Sequence, residues 1–198
     1  MYKMEETVVY KTPIGALKLV ANDEGMCAVK WLFGKHSVLT RNESPDTVGK
    51  ASADSSKAQE HLRACRKWLD AYFDGSLLAV KPAIPKPPLV LPDKSPFFHS
   101  VWETLLSSGV GETLTYKDLA GRSGKPTAAR AAGNAVKSHS LPILVPCHRV
   151  VKSSGQRAAK KSVGVCAPYE IGQYSGGDGT ETKQWLLAHE QAMIKQKL

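Results

Sequence analysis

Six of the sixteen residues from Lys81 to Pro96 are proline (Pro82, Pro85, Pro87, Pro88, Pro92 and Pro96). Each fixes φ and removes a backbone donor, so the stretch can be neither a helix nor a central strand and reads as a stiff extended connector. A 198-residue chain cut near its middle has room for two small cores. The expected organisation is therefore residues 1–94 as a supporting α/β domain with its connector, and residues 95–198 as a second domain.

The first part alternates strand-forming runs with turns. Thr7 to Lys11, Ala16 to Ala21 and Met26 to Phe33 are rich in Val, Leu, Tyr and Trp, separated by Pro13-Ile14-Gly15 and Asn22-Asp23-Glu24-Gly25. A polar stretch from Arg41 to Ser56 reads as a loop. Ala58, Leu62, Cys65, Leu69 and Tyr72/Phe73 then recur at helical spacing, with Gly75 as the stop. Beyond the connector, Ser95-Pro96 predicts a helix start, as N-cap and first helical residue, and the helix runs on to Gly109. Thr115-Tyr116-Lys117-Asp118 has the form of a capping box opening a short helix that stops near Gly121 to Gly124, and a further helix is expected over Thr127 to Lys137. Two short helices around a glycine-containing turn make a helix-turn-helix by pattern. The fold class is α+β: a small antiparallel sheet with a helix, joined to a mainly helical domain.

Charge divides the chain in the same way. Residues 1–94 carry 14 Lys/Arg against 11 Asp/Glu, but Thr115 to Lys161 carries ten basic residues and one acid, Asp118. Those ten are Lys117, Arg122, Lys125, Arg130, Lys137, Arg149, Lys152, Arg157, Lys160 and Lys161. A positive excess so concentrated attracts a polyanion, nucleic acid first, whereas an evenly charged surface only keeps a protein dispersed. The alanines from Ala128 to Ala132 with Gly133 would let one helical face approach a backbone or shallow groove closely. No apolar run approaches the ~18 residues that cross a bilayer, and the first residues lack the apolar core of a secretory signal, so neither membrane nor secretion is expected.

The four cysteines, Cys27, Cys65, Cys147 and Cys166, are widely spaced and without a Cys-x-x-Cys pair. Neither a disulfide framework nor a ribbon-type zinc site is written in them; Cys27, Cys65, His36 and His61 could be combined into one, but their spacing does not ask for it, and no metal is expected. Cys147 stands apart. In Leu141-Pro-Ile-Leu-Val-Pro-Cys-His-Arg-Val-Val151, two prolines interrupt an apolar run and deliver Cys147 beside His148 and Arg149. A thiol becomes a nucleophile when a basic or cationic neighbour lowers its pKa. A buried cysteine next to a hydrogen-bonded histidine is the alternative, and the two residues alone do not choose.

Pro146-Cys147-His148-Arg149-Val150 resembles the active-site motif of the O6-alkylguanine-DNA alkyltransferases. The resemblance extends, in family order, through Gly111-Glu112, Thr115-Tyr116, Ala128-Ala129-Arg130-Ala131, Leu141-Pro142-Ile143-Leu144, Tyr174-Ser175-Gly176-Gly177 and Trp185-Leu186-Leu187-Ala188-His189-Glu190. It covers about residues 96–190, with a looser match through Tyr10 to Leu19 and Trp68 to Phe73. It implies a single-turnover DNA repair protein that moves an alkyl group from O6 of guanine in duplex DNA to its own Cys147, without cofactor.

On that resemblance His148 takes the thiol proton through a bridging water and Glu190 fixes the imidazole tautomer. The base must leave the stack. Arg130 fills the gap, and Tyr116 drives the rotation and donates to the base. Pro142 and Tyr174 wall the pocket, which Gly172 completes; the Val150 and Cys147 carbonyls accept from the exocyclic amine, and Ser175 donates to the guanine oxygen. Contact is through the minor groove, with Lys125, Lys137 and helix-start amides on phosphates, and Thr115, Ala129, Gly133 and Ser153 on the DNA side.

Three departures stand out. His139 occupies a position where most members carry Asn, Gln156 to Ile171 form a basic insertion, and the zinc ligands of some animal members are not matched beyond Cys27. The alternatives are a lesion-binding module that flips alkylguanine without repairing it, and a cysteine hydrolase built on Cys147 and His148. The expected partner is duplex DNA containing O6-alkylguanine, bound by a monomer, with cooperative assembly on DNA left open. The expected compartment is the nucleus in a eukaryote and the cytoplasm otherwise.

Overall fold

The computed structural model describes residues 4–34, 56–79, 83–153 and 171–197. The polar stretch 41–55 and nearly all of the insertion, with Cys166 and His36, lie outside the described residues. The chain separates into two compact units, Met1–Leu91 and Pro92–Leu198.

In the first unit, strands β1 (Glu6–Thr12), β2 (Gly15–Asn22) and β3 (Gly25–Gly34) form an antiparallel sheet in the order β1-β2-β3. Helix α1 (Lys57–Phe73) packs on it through Leu62, Cys65, Trp68, Leu69 and Tyr72. Ser56 caps α1 by accepting from the Gln59 amide at 3.2 Å. Leu17, Leu19, Met26 and Leu69 are fully buried, each stabilising the unit by roughly 1.5–3 kcal/mol. The proline-rich connector lies along β3: the Met26 amide donates to Pro88 O, and the Val90 amide to Met26 O, both at 2.8 Å. Gly25 permits that approach, because a Cβ there would lie 2.5 Å from Pro88 O.

In the second unit, α2 (Pro96–Ser107) is followed by the two-residue strand β4 (Leu114–Thr115), α3 (Tyr116–Arg122) and α4 (Ala129–Lys137). Ser95 occupies the N-cap position of α2 but makes no side-chain cap bond; Pro96 at the first helical position sets the start. The capping box forms in full, with Thr115 Oγ1 accepting from the Asp118 amide and Asp118 Oδ2 accepting from the Thr115 amide. Helix α3 closes through the Lys125 amide on Ala120 O, with Gly124 at φ +84°. Helix α4 begins two residues later than the sequence suggests, because the Ala128 amide closes a turn on Lys125 O. Trp102 Nε1 donates to Ala135 O at 2.8 Å and pins α2 to α4.

Strand β5 (Val150–Val151) pairs with β4 in parallel, Leu114 opposite Val150 and Thr115 opposite Val151. This ladder binds the segment that follows Cys147 to the residue that caps α3. Helix α5 (Thr180–Lys197) ends the unit, and its inward stripe is Thr182, Lys183, Leu186, Glu190 and Met193. Among the described residues no helix is long and apolar enough to cross a membrane.

Candidate active site

The segment from Leu141 to Val151 is a compact scaffold. The Val145 amide donates to Leu141 O at 2.8 Å, and between them Ile143 takes φ +71°, a left-handed value that a β-branched residue adopts only where its surroundings enforce it. A single 3₁₀ turn, Cys147–Arg149, then sets His148 and Arg149 inward, both buried, and leaves Cys147 part-exposed.

His148 is fully buried, with Nε2 2.8 Å from Glu190 Oε1. Burial works against the charge on Glu190, but His148 and Arg149 outweigh it and hold the carboxyl well below its usual range. An ionised carboxylate only accepts, so the hydrogen on the imidazole sits on Nε2. Nδ1 is then the lone-pair nitrogen, and it is buried without a hydrogen-bond partner among the described residues. Burial, opposed by Glu190, holds the imidazole neutral at rest.

Arg149 completes the anchor. Its Nε donates to Glu190 Oε2 and its Nη2 to Oε1, both at 2.9 Å, while Nη1 reaches Ser108 O at 2.6 Å and Ser108 Oγ at 3.1 Å. The Gly111 amide donates to Glu190 Oε2 at 2.7 Å, and Gln191 Nε2 donates to Gly111 O. Gly111 has φ +76°, a left-handed value that favours glycine, and a Cβ there would have to displace Ile194 Cδ1 on α5. The sequence places Arg149 among the ten cations of the basic segment. With 5 % exposure and a buried carboxylate partner it belongs to the core, and the exposed excess is correspondingly smaller.

Burial pushes the Cys147 thiol up to about 11, against the ammonium of Lys183, the Tyr174 hydroxyl and the amides of the turn, all of which favour the thiolate. The resting group is a thiol, so a base must take its proton. Tyr116, the first residue of α3, has its hydroxyl raised by burial and then by Cys147, and it stays a neutral donor. The Tyr116 ring lies over Gly133, where a Cβ would make ordinary contact at 3.5 Å.

Cys147, His148, Glu190, Tyr116, Tyr174 and Val150 thus converge, and Gly172 is buried nearby, with φ +78°. Pro142 is half-buried and Ser175 exposed. Arg130, Lys125, Lys137, Lys117 and Arg122 are exposed on the α3–α4 pair, with Lys125 Nζ 5.2 Å from the centre of the Phe97 ring. Ala129 opens α4 and Ser153 is exposed. Thr115 is buried, and its hydroxyl is committed to the capping box, donating to Asp118 Oδ2 at 2.8 Å. Sequence reasoning missed Lys183, which is 1 % exposed, with Nζ on Val150 O at 2.6 Å. It also missed the bracing role of Arg149. A lysine seven residues before Glu190 lies on the same helical face, which was the available signal.

The family model described as the DNA binding domain of 6-O-methylguanine DNA methyltransferase matches residues 96–192, and that described as its ribonuclease-like domain matches residues 7–83. The methylated-DNA–protein-cysteine methyltransferase of Mus musculus is 37 % identical over 191 residues, spanning 95 % of this chain and 82 % of that protein. The chain belongs to the 6-O-methylguanine DNA methyltransferase family. The protein of the same name from Homo sapiens is 35 % identical over 90 % of this chain and 77 % of its own length. Mycobacterium tuberculosis OGT, crystallised in complex with DNA, superposes with a TM-score of 0.65 at 27 % identity, covering 94 % of this chain and 93 % of that one. The α+β architecture, a three-stranded antiparallel sheet followed by a helical unit, is that of the family.

Against the family pattern, His139 is the departure that the structure describes. Its Nδ1 accepts from the Leu141 amide at 3.1 Å, which leaves the hydrogen on Nε2, buried and without a partner among the described residues. Burial pulls its pKa down to about 4.

Proposed function

We propose that this chain repairs O6-alkylguanine in duplex DNA by taking the alkyl group onto Cys147, once per molecule. The observation that carries the reading is the buried His148–Glu190 pair directly after Cys147, with Nε2 fixed as donor and Nδ1 left basic. In the reaction the thiol proton passes to His148 Nδ1 through one water. The sulfur attacks the alkyl carbon, the S–C bond forms, and the C–O6 bond breaks with its electron pair left on the guanine. Tyr116 donates to that developing anion, and the imidazolium proton restores the balance. The products are neutral guanine and a thioether, which no group in the site can reduce. Glu190, held ionised by Arg149, stabilises the transient imidazolium.

The exposed cations of the α3–α4 pair supply the phosphate contacts, and Arg130, exposed on α4, takes the place of the extruded base. Pro142 and Tyr174 wall the pocket, the Val150 and Cys147 carbonyls accept from the exocyclic amine, and Ser175 donates to O6. Residues 95–198 carry binding and chemistry, and residues 1–94 support them. The protein acts as a monomer where its substrate lies: the nucleus in a eukaryote, the cytoplasm in a prokaryote.

Intact-protein mass after incubation with a duplex holding one O6-methylguanine tests the reading. The expected result is a gain of one methyl, mapped to Cys147, saturating at one equivalent; Cys147→Ala gains nothing yet still binds the duplex. Tight lesion binding with no mass change in the unaltered protein would instead make it a lesion sensor.

A further inference from the structure

The charged residues of the first unit's sheet are sorted by sign. Its three strands hold one acid, Glu6, and three lysines, Lys11, Lys18 and Lys30. Tyr10 donates to Asp70 of α1, and Ser56 at the start of α1 donates to Glu6, so the even-numbered residues of β1 face the helix. Side chains alternate along a strand, which puts Val9 and Lys11 on the outer face. Lys18 pairs with Val9, and Lys30 with Lys18, so the three lysines share that face and the acid lies on the other.

Lys18 and Lys30 lie directly opposite each other on neighbouring strands, where Cβ atoms are roughly 4.5–5.5 Å apart, and Lys11, opposite Ala16, is the diagonal neighbour of Lys18 at about 7–8 Å. Like charges so placed repel and weaken the strand pairing, whereas a face that only keeps a protein dispersed intersperses both signs. None of the three is in an ion pair among the described residues. Lys11 and Lys30 are exposed and Lys18 is half-buried, so the cations are open to a partner from outside.

We infer that the outer face of β1-β2-β3 is a second contact for the phosphate backbone of duplex DNA, made by Lys11, Lys18 and Lys30 and separate from the lesion site. The choice of duplex DNA as partner rests on the repair reading; the surface itself rests on the register of the sheet. A partner that relieves the repulsion must bring several negative charges at comparable spacing, as a phosphodiester chain does and a single carboxylate does not. Lysine meets phosphate as a point charge and reads no base, so the contact adds affinity without sequence preference. Residues 95–198 hold the lesion, and this face adds a grip on the backbone that is indifferent to it.

The experiment is the salt dependence of binding to an undamaged duplex. It compares the full chain, the neutral triple variant Lys11→Gln/Lys18→Gln/Lys30→Gln, the charge-keeping triple variant Lys11→Arg/Lys18→Arg/Lys30→Arg, and Lys57→Gln/Lys67→Gln, which removes two exposed charges of α1. Each phosphate contact contributes about 0.9 to the slope of log K against log salt, so the neutral triple variant should lose about 2–3 from that slope and bind about tenfold or more weakly near 0.1 M salt. The charge-keeping variant should retain the slope, and so should the α1 variant. An unchanged slope in the neutral triple variant overturns the proposal, and so does an equal loss in the α1 variant, which would report net charge alone. Unchanged duplex binding with lost binding to vesicles rich in anionic phospholipid would assign the face to a membrane and overturn the proposal as well.

If the neutral triple variant does not fold, the unaltered chain answers by lysine acetylation with and without the duplex, read by peptide mapping. Lys11, Lys18 and Lys30 should be protected by the duplex while Lys67, exposed on α1, stays reactive; equal reactivity at all four with and without DNA overturns the proposal. The duplex carries no lesion, so the outcomes separate. A full chain inert toward O6-methylguanine overturns the repair reading even where the slopes differ. Methyl transfer to Cys147 with no difference in slope overturns only the second contact.

Discussion

The two units bury different things. Among the described residues of the first, Asn22 is the one buried amide and no charged side chain is buried; Asn22 caps its turn by accepting from the Glu24 amide, and the remainder of that core is aliphatic, aromatic or sulfur-bearing. The second unit buries His148, Arg149, Lys183 and Glu190, all within one cluster. The first core is held by shape, which tolerates changes of pH and charge. The second places four ionisable groups where solvent cannot screen them, which is costly for stability and strengthens every electrostatic effect on Cys147.

The contrast is broken most severely at Glu190. Glu190→Gln keeps the shape but leaves Arg149 buried beside a neutral amide, so the variant should lose roughly 3–5 kcal/mol of stability in urea unfolding. The amide can also donate to His148, which frees the tautomer, and alkyl transfer should fall more than tenfold in the fraction still folded. A loss under about 1 kcal/mol would mean that the second unit, like the first, is held mainly by packing.

Acid should separate the units next. His139 titrates near 6.5 when unfolded and near 4 when folded, because the ring is buried. Below pH 6.5 the unfolded chain binds a proton that the native state refuses, so this stabilisation is complete above 6.5, lost as pH falls towards 4, and flat below that. The loss is on the order of 3 kcal/mol. His139→Asn, whose oxygen can still accept from the Leu141 amide, removes this limb; the stability gap between variant and unaltered protein should move in favour of Asn between pH 7 and pH 4.5. A gap that stays constant would mean that the ring meets solvent in the native state.

What could be read from the sequence follows the same division. The strands of the first unit and the stripe of α1 were legible because period and turn residues agree there, as in Ala58, Leu62, Cys65 and Leu69. The capping box at Thr115 and the turn around Gly124 were legible because each rests on local chemistry. The partners of Arg149 were not, since they come from Ser108 and Glu190, each 41 residues away. Lys183 was hidden for a further reason: the inward face of α5 contains Thr182, Lys183 and Glu190, so the side that looks polar is the buried one. Pattern reading assumes that charge faces water, and it fails where the site needs charge inside.

The smallest expected effect belongs to the first unit. The Tyr10 hydroxyl donates to Asp70 Oδ1 at 2.8 Å, joining β1 to α1, with burial and then this bond raising the phenol far above its ordinary range. Asp70 is exposed, so Tyr10→Phe leaves its carboxylate solvated rather than stranded. The cost should therefore be only the net hydrogen bond, about 0.5–1.5 kcal/mol, seen as a shifted urea midpoint with unchanged slope. The ring keeps its place beside Phe73, 6.3 Å away between centres. Methyl transfer to Cys147 should run at the unaltered rate. A rate that falls with this substitution would show that the first unit does more than support the second, and would make the β1–α1 contact part of the functional protein.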